Sequence, residues 1–230
     1  MFIQSSLSDK STFFQKLRSL DYIMLLCILV LGIVSSFAMY STDGGELLYH
    51  SKSHIIRFSI FFVMMILISF INIKRWHSFG YFFYLVVLSL LIWASLFGIT
   101  AQGSQRWINL YFINLQPSEL MKIAIIVCFA KYYHRIQLSN VNKLKNIIVP
   151  ILILFIPIAL VTSQPDLGTS ILIALSGIIV LWLAGVNIKY FFYSSLTFII
   201  SAPFIISFLK PYQKLRILTF FDSDKDPLGA

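Results

Sequence analysis

This sequence has little charge. Only 12% of its 230 residues are Asp, Glu, Lys or Arg, about half the share of a soluble domain. So few polar groups cannot cover a soluble core of this size. With 58% hydrophobic residues and a mean hydropathy of +0.85, the chain reads as an integral membrane protein. Cysteine is nearly absent: Cys27 and Cys128 each lie inside an apolar stretch. They read as small buried hydrophobes, not as a disulfide or a metal site. No cleavable leader is expected, because the first apolar run, from Tyr22, is long enough to span and lacks a small-residue cleavage site. No soluble domain, linker, low-complexity tract or repeat is apparent. There is also no basic stripe with stacking aromatics on a soluble face. The net charge of +9 therefore argues for membrane topology and against nucleic acid.

What is present is a series of seven apolar segments, at about 22–40, 54–73, 79–99, 117–133, 147–162, 168–184 and 190–209. Each is near the ~20 residues that a bilayer requires. The expected fold class is all-α, a polytopic membrane helical bundle. Residues 1–21 are expected in the cytoplasm, 22–209 in the membrane, and 210–230 at the start of a periplasmic loop. Gly44–Gly45 marks a turn. Pro157 and Pro203 predict kinks. Ser170, Ala174 and Gly177 share one face, a small-residue stripe suited to close helix contact.

Seven spans place the amino end inside and the carboxyl end outside. Ten Lys or Arg then fall on inner segments and eight on outer ones. The densest inner connection holds Lys131, Arg135, Lys143 and Lys145 with no acid. The outer surplus is Arg57, Arg106, Lys122, Lys210, Lys214 and Arg216. Chains avoid cations on the translocated side of short loops. Two readings stand for this surplus: an anionic ligand at the outer leaflet, or, for Lys210, Lys214 and Arg216, contact with lipid phosphates.

Four clusters carry candidate chemistry. In Gly103–Trp107 glycine permits a tight turn, Arg106 can hold a phosphate by two hydrogen bonds, and Trp107 suits the interface. The plainer reading is an outer loop with a belt tryptophan. Gln116–Pro117–Ser118–Glu119–x–x–Lys122 opens the fourth span. Pro117 fits the first helical position, Glu119 meets the positive end of the helix dipole, and Lys122 lies on the face of Glu119. Such groups in a membrane helix are functional candidates; they are also a self-neutralising pair that lets the helix start below the surface. In Gln164–Pro165–Asp166–Leu167–Gly168–Thr169, Asp166 is either a helix cap or a site residue. The last cluster is Tyr212–x–x–x–Arg216 with the Asp226–Pro227–Leu228–Gly229 turn.

In this order and at these spacings the motifs resemble the SEDS (shape, elongation, division and sporulation) family. The resemblance runs from Asp21 through G-S-Q-R-W-I-N-L, Q-P-S-E-L-M-K and Q-P-D-L-G-T to Y-Q-K-L-R-I-L-T-F-F-D and D-P-L-G. The Leu of Q-P-D-L-G-T and the terminal D-P-L-G are more similar to the elongation branch than to the division branch. The resemblance implies a peptidoglycan glycosyltransferase that polymerises lipid II, an undecaprenyl-pyrophosphate-linked precursor, at the outer face of the bacterial inner membrane. It implies a class B penicillin-binding protein as partner. Arg106, Trp107, Gln116, Ser118, Glu119, Lys122, Gln164, Asp166 and Arg216 are the expected substrate-binding residues. Cations among them would balance charge on the leaving pyrophosphate. A divalent cation is a possible cofactor, with no ligand set visible. Family members have about ten spans, and the aspartate regarded as catalytic lies in a loop beyond Ala230. The expectation is a truncated member, inactive alone. Alternatives are a flippase for the lipid-linked precursor and a membrane scaffold for the penicillin-binding protein. If Glu119 and Lys122 pair, Glu119→Ala lowers thermal stability or function more than Glu119→Ala with Lys122→Ala, since one change strands the other charge. Equal or smaller damage from the single change would argue against the pair.

Overall fold

The computed structural model describes residues 13–101, 104–110, 114–164 and 166–208. Two compact units, Met1–Phe79 and Gly80–Ala230, divide inside one long helix. The element order is α1 (Phe13–Arg18), α2 (Tyr22–Thr42), α3 (Tyr49–Ser69), α4 (Ile73–Phe97), β1 (Ile99–Ala101), β2 (Ser104–Asn109), β3 (Asn114–Leu115), α5 (Pro117–His134), α6 (Leu144–Ser163), α7 (Leu167–Leu183) and α8 (Ile188–Phe208). A single 3-10 turn, Leu138–Asn140, lies between α5 and α6. A helix therefore occupies each of the seven apolar segments. Large apolar side chains stay exposed along them, among them Ile23, Leu31, Phe82, Phe155 and Phe192. In water such a surface would associate; against acyl chains it is the expected one. The protein is an all-α, multi-pass membrane protein.

Several helix ends differ from the apolar boundaries. α3 starts at Tyr49, before the expected His54. Its polar first turn is held by Asp43, whose carboxylate accepts the Ser51 amide at 2.8 Å. Ser51, through its side chain and amide, holds the Asp43 carboxyl below its ordinary value of 3.8. α4 likewise starts at Ile73, before the expected Phe79, and takes in Lys74, Arg75, Trp76 and His77; Asn72 Oδ1 accepts the Lys74 amide there at 3.0 Å. Gly44 and Gly45, with φ of 78° and 84°, make the expected turn in the backbone region that favours glycine. Cys128 is buried as expected, but Cys27 is exposed. An apolar stretch alone does not say which face of a membrane helix meets lipid.

In the first unit, α2 and α3 pair. His54 Nε2 and Ser35 Oγ meet at 2.9 Å, and Lys16 Nζ donates to the Phe70 carbonyl at 3.2 Å. An apolar groove of about 450 Å³ is lined by Gly32, Phe37, Tyr40, Leu47, Ile55 and Phe58.

In the second unit, the latter part of α4 and helices α5, α6 and α7 share one core. Their buried positions recur every three or four residues: Gly80, Tyr84, Val87, Leu91 and Ala94 on α4; Ile147, Pro150, Leu154, Pro157 and Val161 on α6. That period keeps one face turned inward. α5 is the most enclosed, with Met121, Ala124, Ile125 and Phe129 fully buried. The small stripe on α7 does what its spacing predicts. A Cβ at Gly177 would lie 2.7 Å from the Leu154 methyl carbons, so α6 and α7 approach through the missing side chain.

Helix α6 carries two internal prolines, Pro150 and Pro157, and remains one helix. Each proline lacks an N–H, so the carbonyl four residues earlier loses its helical donor. Those carbonyls belong to Asn146 and Ile153. A tyrosine supplies each donor: Tyr133 Oη to the Asn146 carbonyl at 2.8 Å, and Tyr84 Oη to the Ile153 carbonyl at 2.8 Å. The prolines thus create acceptors that neighbouring helices fill. Tyr84→Phe is expected to lower unfolding free energy by about 1–3 kcal/mol, the penalty of a buried unsatisfied acceptor. In a Pro157→Ala background the restored N–H reduces that loss. Thermal unfolding of the four variants in detergent tests this, and equal losses in both backgrounds would refute the pairing.

Candidate functional site

The segment expected as a polar loop forms a small antiparallel sheet in the order β1-β2-β3. Trp107 pairs with Ile99, and Ile108 with Leu115. Along a strand successive side chains point to opposite faces, so Arg106 and Trp107 diverge. Trp107 is half-buried. The last strand leads through Gln116 into α5, with Pro117 in the first turn.

Arg106 turns toward the start of α7. Its Nη1 lies 3.2 Å from Asp166 Oδ2, with the two side chains 23% and 11% exposed. Gln116 Nε2 donates to the same oxygen at 3.4 Å. The Thr169 hydroxyl donates to it at 2.8 Å, and the Thr169 amide donates to Asp166 Oδ1 at 3.2 Å. The cap reading of Asp166 holds, and its carboxylate has further partners. It caps α7, and it joins the sheet, the start of α5 and the start of α7 at one carboxylate. The Gln116–Asp166 contact also brings together the amino ends of two helices, each with a positive dipole end.

Glu119 and Lys122 form the expected pair, Nζ to Oε2 at 2.8 Å, with Lys122 the more enclosed at 24% against 55%. An exposed pair of this kind contributes about 0–1 kcal/mol. Ser118 is buried beneath the helix start. Gln164 is also buried, and its amide donates to the Leu91 carbonyl at 3.4 Å. Its side chain ties the end of α6 to α4, away from Asp166. Arg216 lies outside the described residues, as do Lys210, Lys214, Gly103 and Pro165. Thr169 stood in the Q-P-D-L-G-T motif but was not among the expected site residues. Its position three after a capping aspartate was the available signal. Among the described residues no group of three His, Cys, Asp or Glu side chains is gathered to hold a metal.

A multi-pass helical membrane protein with an ionic cluster where two helix starts meet is the class that fold and site define. The chain belongs to the FtsW/RodA/SpoVE family, described as cell cycle proteins, whose profile matches residues 17–230. It is 33% identical over 223 residues to the peptidoglycan glycosyltransferase MrdB of Escherichia coli, covering 96% of this chain and 59% of that protein. It is 34% identical over 192 residues to the probable peptidoglycan glycosyltransferase FtsW of Buchnera aphidicola from Schizaphis graminum, covering 80% of this chain and 54% of that one. The chain thus spans little more than half the length of these relatives. A solved chain from work on structural coordination of polymerization and crosslinking by a peptidoglycan synthase complex has a TM-score of 0.77 at 23% identity, over 92% of this chain and 62% of that chain. The rod shape determining protein RodA of Thermus thermophilus gives 0.66 at 18%, over 79% and 59%. At these identities the two structures support the fold alone.

Asp166→Asn retains an acceptor for the α7 cap and removes the charge facing Arg106. Asp166→Ala removes both, and loss of a cap alone is worth about 1 kcal/mol. Unfolding free energies are expected to fall in the order wild type, Asp166→Asn, Asp166→Ala. Chemical denaturation in micelles checks this; an Asp166→Ala protein as stable as wild type would remove the hub.

Proposed function

We propose that the chain acts in polymerising lipid II into peptidoglycan glycan strands for elongation and cell shape. The setting is the outer face of the bacterial inner membrane, with the amino end in the cytoplasm and a class B penicillin-binding protein as partner. One observation carries the reading: Arg106 is held at the joined amino ends of α5 and α7 by Asp166. Two helix dipoles and a guanidinium there favour a phosphorylated group, and Lys122 on the second turn of α5 adds a cation. Ser118 is buried beneath the α5 start and supports the site from within; Trp107 faces away from Arg106 and is proposed to act only through the strand that carries both, and Arg216 is proposed to join the cations. The pyrophosphate of a lipid-linked sugar matches that chemistry, and these cations would stabilise the charge that grows on it as the glycosidic bond forms. The names of the relatives support glycosyl transfer, and the transport and scaffold readings are not favoured. A divalent cation is proposed to bind through the pyrophosphate oxygens, which are the hard ligands it prefers.

The test is equilibrium binding of lipid II to the 230-residue chain in nanodiscs. Arg106→Ala and Lys122→Ala are each expected to weaken binding about tenfold, the scale of one charge-assisted contact. Binding no tighter than that of the uncharged polyprenol would overturn the reading.

A further inference from the structure

Thr169 behaves unlike the other hydroxyl residues of its surroundings. The hydroxyls of Thr162, Ser163, Ser170 and Ser176 each donate back to a carbonyl of their own helix, at 2.7–2.8 Å. That is the usual way to satisfy a hydroxyl in an apolar helix. The Thr169 hydroxyl turns instead to the Asp166 carboxylate, at 2.8 Å, the shortest contact the carboxylate makes. Capping α7 does not require it, because the backbone amide of residue 169 already reaches Oδ1. What the hydroxyl adds is a second anchor on the other oxygen. With one oxygen held by the amide and the other by the hydroxyl, the carboxylate plane cannot rotate about its terminal bond.

That fixed plane matters for Arg106. An arginine side chain has several freely rotating bonds, and it grips phosphate by two parallel hydrogen bonds only when its fork is oriented. Here the orienting contact is Oδ2 of Asp166 at 3.2 Å. Oδ2 also receives Gln116 at 3.4 Å, so this oxygen faces three donors. Asp166 is thereby placed to orient the guanidinium. We propose that Thr169 is a positioning residue: its hydroxyl locks the Asp166 carboxylate, and the carboxylate sets the Arg106 guanidinium for a pyrophosphate headgroup. The inference rests on the phosphate-binding reading above and names the residue that tunes it.

The probe is undecaprenyl pyrophosphate, bound to the 230-residue chain in nanodiscs. Thr169→Val keeps the shape and the backbone cap but deletes the hydroxyl. It is expected to weaken binding about tenfold, and Thr169→Ser to restore it to within about twofold. In an Arg106→Ala background, Thr169→Val is expected to change nothing further, because its effect travels through Arg106. A merely structural role would weaken binding equally with and without Arg106. That result, or a Thr169→Val protein that binds like wild type, overturns the inference alone. Absence of binding by wild type overturns it together with the reading beneath it. Should Thr169→Val not fold, Gln116→Leu removes another donor from the same oxygen and is read by the same comparison.

Discussion

Within a bilayer no water is present to satisfy the backbone, so each polar group must find a partner inside the chain. Much of the second unit follows from that constraint. Proline in a membrane helix leaves a carbonyl without its donor, and α6 contains two such prolines. The chain answers with a tyrosine from α4 and another from α5. These contacts replace the missing helical bonds and fix α6 against both neighbours. The same need operates at helix starts, where amides lack acceptors. Asp43 answers it for α3 and Asp166 for α7.

At Asp166 the solution of a structural problem becomes a site. A capping carboxylate near the membrane surface carries a charge, and that charge requires a counter-ion. Arg106 provides one from the short sheet, and Gln116 adds a neutral donor from the start of α5. Three elements, two of them distant in sequence from Asp166, are thereby gathered on one oxygen. The close packing below, through Gly177 and Leu154 on α7 and α6, supports the platform on which this cluster stands. Stability and the proposed anion recognition draw on the same few contacts.

The helices were legible because hydropathy in a membrane protein is set by the solvent, one span at a time. Their ends were less so. The polar first turns of α3 and α4 lie outside the apolar runs, and they are helical because Asp43 and Asn72 accept their amides. The pair of Glu119 and Lys122 was legible too, since three residues along a helix is a local distance. Cys27 shows the limit: an apolar neighbourhood in sequence did not reveal which face of α2 turns outward.

The sequence by itself determined the membrane class, the seven helical segments and the motifs at their ends. These depend on composition and local spacing. Only the tertiary structure decided what each motif residue does. Gln164 and Asp166 stand two positions apart, yet one amide braces α4 and the other residue's carboxylate gathers Arg106, Gln116 and Thr169. The reason is physical: a side chain's partner is set by how helices pack, and the residues that meet Asp166 come from 50 positions away at Gln116 and from three at Thr169.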